Sequence, residues 1–443
     1  MINIYLIALG CSKNLVDAEC MSTILRNDGF GIVDNIEDAD VVIVNTCGFI
    51  ESAKTEAIDT ILAAADYKAP AGKVKKLIVT GCLSQRYPDE ILKEMPEVDA
   101  VLGTSQYQDI ANVVRDLLAD SEAIRDVKEA GGMAHLLTER DISTSSYAWL
   151  KIGEGCLHRC AFCAIPLIRG PFKSRPMEDI LKEARNIAAR GIKEIVLAAQ
   201  DTTNYGVDLY KKRALSELLH KLSLIEGIEV IRVMYGYMDG ITDELIAEVR
   251  DNPKVAKYFD IPIQHGSDRI LKLMKRHDSE ELITSRLEKI RSEIPGVIIR
   301  TTVMVGFPGE TDEDFDRMIA NLSKWRFDRL GCFIFSPEEG TVAYSMEDQV
   351  EESVKEARNA VVYETQKKIS DELSGLRVGT EAFVIIDSIS EDGIFYKGRS
   401  YGEAPEDDPV IYVAAQDKEL NIGDIYKVKI VECSDYDLTG VTI

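Results

Sequence analysis

The sequence predicts a multidomain α/β protein. It should have an N-terminal parallel α/β sheet domain, a central partial (β/α)6 barrel and a C-terminal small all-β barrel. Three observations carry that prediction. The chain has 443 residues, enough for about three domains of roughly 150 residues each. Over most of its length, short apolar runs alternate with amphipathic stretches, the pattern of βαβ units and parallel sheets. Toward the end the runs shorten and are punctuated by Gly, Asp and Pro, as in small β-barrels. The expected limits are 1–120 for the first domain, 121–141 for a linker, 142–374 for the barrel and 376–443 for the last domain.

In the first domain the expected strands are Ile4–Leu9, Val41–Val44, Leu77–Val79 and Val98–Leu102. The helical stretches between them include Asp17–Asp28 and Ile50–Ala65. The following stretch has weak periodicity and a Ser/Thr cluster, hence the linker. Barrel strands are expected at Ala148–Ile152, Glu194–Ala199, Val230–Tyr235, Phe259–Ile263, Val297–Val305 and Leu330–Phe335. Six βα repeats fall short of the eight, over about 250 residues, that close a full barrel. An acidic helical stretch, Glu347–Ser374, ends this domain. The last domain has runs at Ala382–Ile386, Ile394–Tyr396, Val410–Val413, Tyr426–Val431 and Leu438–Ile443.

The composition is that of a globular protein, with 45% hydrophobic and 29% charged residues, which excludes a disordered or collagen-like chain. No apolar run approaches the roughly 18–20 residues that span a bilayer. The opening residues lack a basic leader and read as a first strand, so a cytoplasmic location and no membrane partner are expected. The net charge is −24, which argues against an extended nucleic-acid contact, because that needs clustered cations. It divides as −11, −5 and −8 over the first, second and last segments. The nine cysteines come without an export signal, so metal or redox chemistry is a better expectation than a disulfide framework.

Three of those cysteines lie in Cys156-Leu-His-Arg-Cys160-Ala-Phe-Cys163, just after the first barrel strand. Active sites of β/α barrels are built at that end of the strands. Three thiolates so close together can wrap one iron–sulfur cluster, and three ligands on four irons leave one iron open. Zinc is the rival, but zinc sites usually pair their cysteines with a distant second pair. His158 within the loop reads as a solvated residue.

A second set is dispersed. Cys11, Cys47 and Cys82 each follow an expected strand and each neighbours a glycine, Gly10, Gly48 or Gly81. Parallel strands end on one edge, where open α/β sheets bind ligands. The shared register therefore predicts a second three-thiolate centre. Cys20, Cys332 and Cys433 belong to neither set and read as structural.

The first loop, with Phe162 as its aromatic residue, resembles the radical S-adenosylmethionine (SAM) superfamily. That resemblance implies a [4Fe-4S] cluster whose open iron chelates SAM and whose electron cleaves it to a hydrogen-abstracting radical. Further phrases resemble the methylthiotransferase family within it. They are Leu9-Gly-Cys-Ser-Lys-Asn-Leu-Val-Asp-Ala-Glu19 and Glu154-Gly-Cys-Leu-His-Arg-Cys-Ala-Phe-Cys-Ala-Ile-Pro-Leu-Ile-Arg-Gly170 with Ser174-Arg175. Pro262-Ile-Gln-His-Gly-Ser-Asp268 with Met274-Lys-Arg276, and Gly306-Phe-Pro-Gly-Glu-Thr311, also match. The last domain matches a TRAM module in size and place.

One branch of that family, the MiaB type, modifies an adenosine of transfer RNA. The other, the RimO type, modifies the β-carbon of an aspartate in ribosomal protein uS12. Gly10-Cys-Ser-Lys-Asn-Leu-Val-Asp17, Gln200-Asp-Thr-Thr-Asn-Tyr-Gly206 and Ser336-Pro-Glu-Glu-Gly-Thr341 are similar to the second branch, with Ser12 in place of its usual proline. Charge agrees: a last domain at −8 would repel transfer RNA and steer a basic protein.

The resemblance implies two [4Fe-4S] clusters and SAM as cofactors. Cys156, Cys160 and Cys163 would hold the radical-forming cluster, and Cys11, Cys47 and Cys82 an auxiliary one. Phe162, Gln200, Asp201, Gln264 and Gly306 are candidates for SAM contact, although Ala198-Ala-Gln200 stands where the superfamily often has Gly-Gly-Glu. Arg169 and Arg175 are candidates for a SAM or substrate carboxylate, since guanidinium suits carboxylates, with a structural ion pair as the alternative. Gly309 and Glu310 read as a turn and a helix start. The expected partners are uS12, through the acidic TRAM domain, and a reductant protein. The competing readings are the transfer-RNA enzyme and a non-catalytic iron–sulfur protein.

Overall fold

In the computed structural model, described here for residues 1–443 except 69, 71, 120, 121, 417, 418 and 435, the chain divides into two compact units. One comprises Met1–Ser143, Lys151–Glu183 and Ser336–Tyr344; the other comprises Thr144–Leu150, Ala184–Phe335 and Ser345–Ile443.

The first unit is built on six parallel strands: β1 (Asn3–Ala8), β2 (Gly31–Ile32), β3 (Val41–Thr46), β4 (Lys76–Gly81), β5 (Ala100–Leu102) and β6 (Ile124–Asp126), in the order β2-β1-β3-β4-β5-β6. Successive side chains of a strand face opposite ways. Val41 and Ile43 accordingly join the core under helices Ser12–Asn27 and Ile110–Leu118. Val42 and Val44 join the opposite core with Ala57, Ile61 and Ala64 of helix Glu51–Ala65. Both faces are covered, which is why the central strands read as continuous apolar runs.

Two strands of this sheet escaped the sequence reading, as did the short pair Gly153–Glu154 and Lys173–Ser174. β2 is only two residues long, and β6 lies inside the stretch expected as a linker. β6 pairs Ala100 with Ile124 and Leu102 with Asp126. A three-residue edge strand of which one residue is apolar leaves no periodic signal. The expected boundary between 120 and 121 lies outside the described residues.

The second unit holds β7 (Tyr147–Lys151), whose last residue belongs to the first unit. It continues beyond the hairpin β8 (Gly153–Glu154) and β9 (Lys173–Ser174) with β10 (Glu194–Ala198), β11 (Val230–Val233), β12 (Tyr258–Asp260), β13 (Ile298–Val305) and β14 (Arg329–Ile334). They form two three-stranded sheets, β11-β10-β7 and β12-β13-β14, in which β10 runs parallel to β11 and β13 parallel to β12 and β14. The seam between them is closed by Ile231 N to Lys254 O (2.7 Å), Ala256 N to Ile231 O (2.9 Å) and Gly236 N to Asp260 O (2.8 Å). This is the open, six-stranded barrel that the βα repeats predicted. Helix Glu352–Gly375 follows it.

The last five strands are β15 (Glu381–Ile389), β16 (Tyr396–Arg399), β17 (Ile411–Ala414), β18 (Ile425–Ser434) and β19 (Asp437–Thr442). They close into a barrel in the order β15-β16-β17-β19-β18, filled by Val384, Ile386, Ile411, Val413, Val428, Ile430 and Leu438. Closure leaves no free sheet edge. Within this unit Arg399 reaches Glu194 of β10 at 2.7 Å, and Arg232 donates to the carbonyls of Ser400 (2.9 Å) and Tyr401 (2.7 Å). No helix among the described residues is long and apolar enough to cross a membrane.

Candidate active site

The dispersed cysteines converge because β1, β3 and β4 are neighbours and run the same way. The register sets Ala8 beside Asn45 and Thr46 beside Gly81, so all three strands end together. Cys11 stands at the start of helix Ser12–Asn27, Cys47 follows β3, and Cys82 opens helix Cys82–Arg86. Two glycines let the backbones close in. Gly10 has φ +88°, and a Cβ there would lie 2.8 Å from that of Cys47. Gly81 has φ +102°, and a Cβ would lie 2.5 Å from the Thr46 carbonyl. Both positions admit glycine alone without strain. Asn14 laces the edge together, its amide donating to Leu9 O (2.9 Å) and Thr46 O (2.9 Å).

The thiols feel one another. Burial pushes Cys82 up to about 12; the Arg169 cation opposes this, while Cys47 and Cys11 add to it. Cys47 is raised by burial and by Cys11. Cys11 is open to solvent at its surface yet crowded by neighbouring atoms. The crowding raises it, but Lys13, Arg169 and nearby backbone N–H groups outweigh that and leave it below an ordinary thiol. Metal binding would deprotonate such thiols, and the N-terminus of helix Ser12–Asn27 favours the thiolate at Cys11.

The compact set lies on the loop between β8 and β9, whose pairing of Gly153 with Ser174 closes its base. Cys156 N donates to Gly170 O (3.2 Å), and Cys163 N to Cys160 O (3.1 Å). Cys156 and Cys160 are buried and Cys163 is half-buried. Ala164 and Ile168 of this loop pack with Cys82 into one buried cluster, and Thr104 Oγ1 donates to Ile168 O at 2.8 Å. The two sets are therefore neighbours within one unit. A third segment touches both: Ala343 N donates to Ala161 O (2.8 Å), while Glu338 binds Arg86 (2.7 Å) and Lys54 (3.2 Å). Arg86 also donates to Gly48 O at 2.9 Å.

Among the described residues, no three Cys, His, Asp or Glu side chains stand close enough to share one metal ion. The donors in both sets are thiols alone, the chemistry of iron–sulfur ligation. A multi-iron cluster places its irons on separate corners, so it takes thiolates spread wider than the shell of one ion. Cys20 and Cys332 are buried and pushed up to about 12 by burial, as inert core thiols are. Cys433 is half-buried.

Sequence reasoning missed a buried charge network beside Cys82. Asp17 accepts from Lys151 (2.7 Å), Arg169 (2.7 Å) and His135 (2.7 Å). Glu154 meets Lys151 (2.5 Å) and Arg169 (3.2 Å). All five side chains are at most 2% exposed. Burial opposes charge on Asp17, yet Lys151 and Arg169 hold its carboxyl far below the usual range. Burial lowers His135 despite Asp17, so its Nε2–H donates to the carboxylate. The available signal was Lys151 itself, a cation inside an apolar run, which must be paired.

In this structure Arg169 and Arg175 make internal ion pairs, the alternative to binding a SAM or substrate carboxylate. Arg169 is spent on Asp17, Glu154 and Asn14. Arg175 is 3% exposed and is spent on Glu183 and the Leu137 carbonyl. Buried guanidinium groups need internal carboxylates, and here those carboxylates come from the chain itself.

Phe162 is buried beside Cys163. In the second unit, Gln200, Asp201, Gln264 and Gly306 lie beyond the C-terminal ends of β10, β12 and β13. Asp201 is engaged locally: its carboxylate accepts from Thr203 N (2.9 Å), Thr203 Oγ1 (2.5 Å) and Asn204 Nδ2 (2.5 Å), capping a short turn. Gln264 has φ +68° and extends the sheet through its backbone to Thr302 O (2.9 Å) and from Met304 N (2.7 Å). Gly306 donates its N–H to Glu310 at 2.8 Å. Glu310 thus staples the turn, and the helix read from Glu310 begins at Asp312 with Thr311 as its cap.

Three family models match the chain: the uncharacterized protein family UPF0004 over residues 3–103, the radical SAM superfamily over 150–322 and the TRAM domain over 378–443. Curated relatives named ribosomal protein uS12 methylthiotransferase RimO match along the whole chain. The one from Acetivibrio thermocellus is 48% identical, over 99% of this chain and 98% of its own. The one from Clostridioides difficile is 47% identical over the same shares. Among solved structures, the radical SAM methyltransferase TsrM from Kitasatospora setae aligns with a TM-score of 0.56 at 11% identity, over 75% of this chain and 72% of its own. That likeness shows the fold alone. Two cysteine sets on a parallel sheet edge and a barrel loop, a TRAM barrel, and 48% identity over the full length lead to one conclusion: the chain belongs to the RimO family of radical SAM methylthiotransferases.

Proposed function

We propose that this chain methylthiolates the β-carbon of an aspartate in ribosomal protein uS12, with SAM as methyl donor and radical source. Membership of the radical SAM superfamily brings a [4Fe-4S] cluster and SAM. In this reading Cys156, Cys160 and Cys163 hold that cluster, and Cys11, Cys47 and Cys82 hold a second [4Fe-4S] cluster. Once bound, the two groups supply a radical that takes hydrogen from an unactivated carbon and the sulfur that replaces it. The chain's own residues set the geometry: Cys82 against Ala164 and Ile168 keeps the two thiol sets adjacent, and cofactor chemistry needs its reactants held so. That adjacency is the observation that carries the reading.

Phe162, Gln200 and Asp201, with the turns at Gln264 and Gly306, remain the proposed SAM contacts. The TRAM barrel is the proposed docking site for the basic substrate. Of its six cations, Arg399 is buried against Asp387 and Glu194 and Arg377 is bound to Glu403; Asp387 and Glu403 belong to the same domain, so these pairs leave its acidic balance unchanged. A reductant protein and a cytoplasmic setting complete the proposal. The test is mass spectrometry of uS12 from cells with and without this chain. Loss of a methylthio group from uS12 on deletion is the expected result. An unchanged uS12 together with a lost adenosine modification would assign the chain to the transfer-RNA branch.

A further inference from the structure

We propose that Arg169 is a positioning residue for the cluster at Cys11, Cys47 and Cys82, donating a hydrogen bond to the Cys82 sulfur and raising that cluster's reduction potential. The inference rests on the reading that these three cysteines hold a cluster. Its own basis is separate. Nη2 of Arg169 lies 3.6 Å from Cys82 Sγ, within reach of an N–H···S bond. The guanidinium is 2% exposed and cannot rotate away. Nη1 is fixed by Asp17 (2.7 Å) and Glu154 (3.2 Å), and Nη2 also binds Asn14. Asn14 in turn is anchored to Leu9 and Thr46 on the strands that carry Cys11 and Cys47.

A planar fork with five donors can meet carboxylates and a sulfur at once; a lysine cannot. The charges also sum usefully. Lys151 and Arg169 balance Asp17 and Glu154, and the thiolates at the sheet edge are met by the arm of Arg169 that faces Cys82 and by Lys13 beside Cys11. Hydrogen bonds to cluster sulfurs draw off electron density and raise the potential. Arg169 is also the last side chain of the loop that bears Cys156, Cys160 and Cys163, closed by Cys156 N to Gly170 O. The loop that carries one thiol set therefore ends on the other.

The experiment uses the full-length chain in a Cys156→Ala/Cys160→Ala/Cys163→Ala background, reconstituted anaerobically with iron and sulfide. Its midpoint is followed by a redox titration monitored by electron paramagnetic resonance. With Arg169 intact, about four irons and one midpoint are expected. Arg169→Gln should keep the irons and shift the midpoint to a more negative value. If that variant does not fold, Arg169→Lys carries the test: it keeps the charge but lacks a second arm for Cys82, so its midpoint must also fall. An unchanged midpoint with the irons retained overturns the role of Arg169 and leaves the cluster reading intact. Absence of iron in the background with Arg169 intact overturns the cluster reading, and this inference with it.

Discussion

The two cysteine sets reach similar ends by opposite means. Cys156, Cys160 and Cys163 are positioned by one short loop, closed at its base by β8 and β9. Cys11, Cys47 and Cys82 are positioned by the register of three strands, and no two of them lie in the same turn of chain. A local site depends on its own backbone. A dispersed site depends on everything that sets the sheet. The second should therefore be more sensitive to changes made away from its ligands.

The largest expected effect separates the two sets directly. Cys160→Ala should abolish both SAM cleavage and methylthiolation. A Cys11→Ala/Cys47→Ala/Cys82→Ala variant should keep about four irons and still cleave SAM, yet transfer no sulfur. Iron analysis, deoxyadenosine release and product mass measure these in one preparation. Methylthiolation by the triple variant would sink the two-cluster reading.

The next effect tests register. Gly81→Ala places a Cβ against the Thr46 carbonyl at a positive φ, at a cost of about 2–4 kcal/mol. Iron should be lost from the dispersed set while SAM cleavage survives. Equal loss from both sets would remove the distinction drawn here.

What the sequence revealed follows the same division. The compact set is legible because its spacing is local. The dispersed set is legible only because each cysteine follows an apolar run, so strand prediction carried it. β6 was lost because Ile124-Arg125-Asp126 carries one apolar residue. The network around Asp17 was missed because its contacts with His135 and Lys151 cross 118 and 134 residues of chain and have no periodicity. For Arg169 and Arg175 the sequence left a ligand carboxylate and a structural ion pair side by side, because it does not show which carboxylates of the chain are near.

A third effect concerns that network. Removing one member of a buried ion pair costs about 3–5 kcal/mol, since the partner is left charged and unsolvated. Lys151→Met should therefore destabilise the first unit strongly in a denaturant titration. Its pH dependence has a definite sign. Asp17 is held below its ordinary range, so its contribution is present above the unfolded carboxyl value of about 4 and fades only in stronger acid. Asp17→Asn should be least stable relative to the parent at neutral pH, with the gap narrowing below about pH 4. A gap constant across that range would mean that hydrogen bonding rather than charge binds Asp17.

The smallest effect is at Glu338, on the segment that touches both sets. Its carboxylate, 3% exposed, faces both Arg86 and Lys54, and Arg86 holds the Gly48 carbonyl next to Cys47. Glu338→Gln keeps the shape and one acceptor but leaves two cations less well matched, at a cost of about 1–2 kcal/mol. The ligands themselves are untouched, so iron content should not change. If this segment keeps the dispersed set in register with the loop, SAM cleavage should persist while less of it ends in methylthiolated product. The ratio of deoxyadenosine to product should therefore rise, by at most the roughly 5- to 30-fold that a loss of that size corresponds to. A ratio that stays at the parent value, with stability reduced, would make Glu338 a structural clip of the first unit and leave alignment of the two sets to the packing of Cys82 with Ala164 and Ile168 and to the contacts of Thr104 and Arg169.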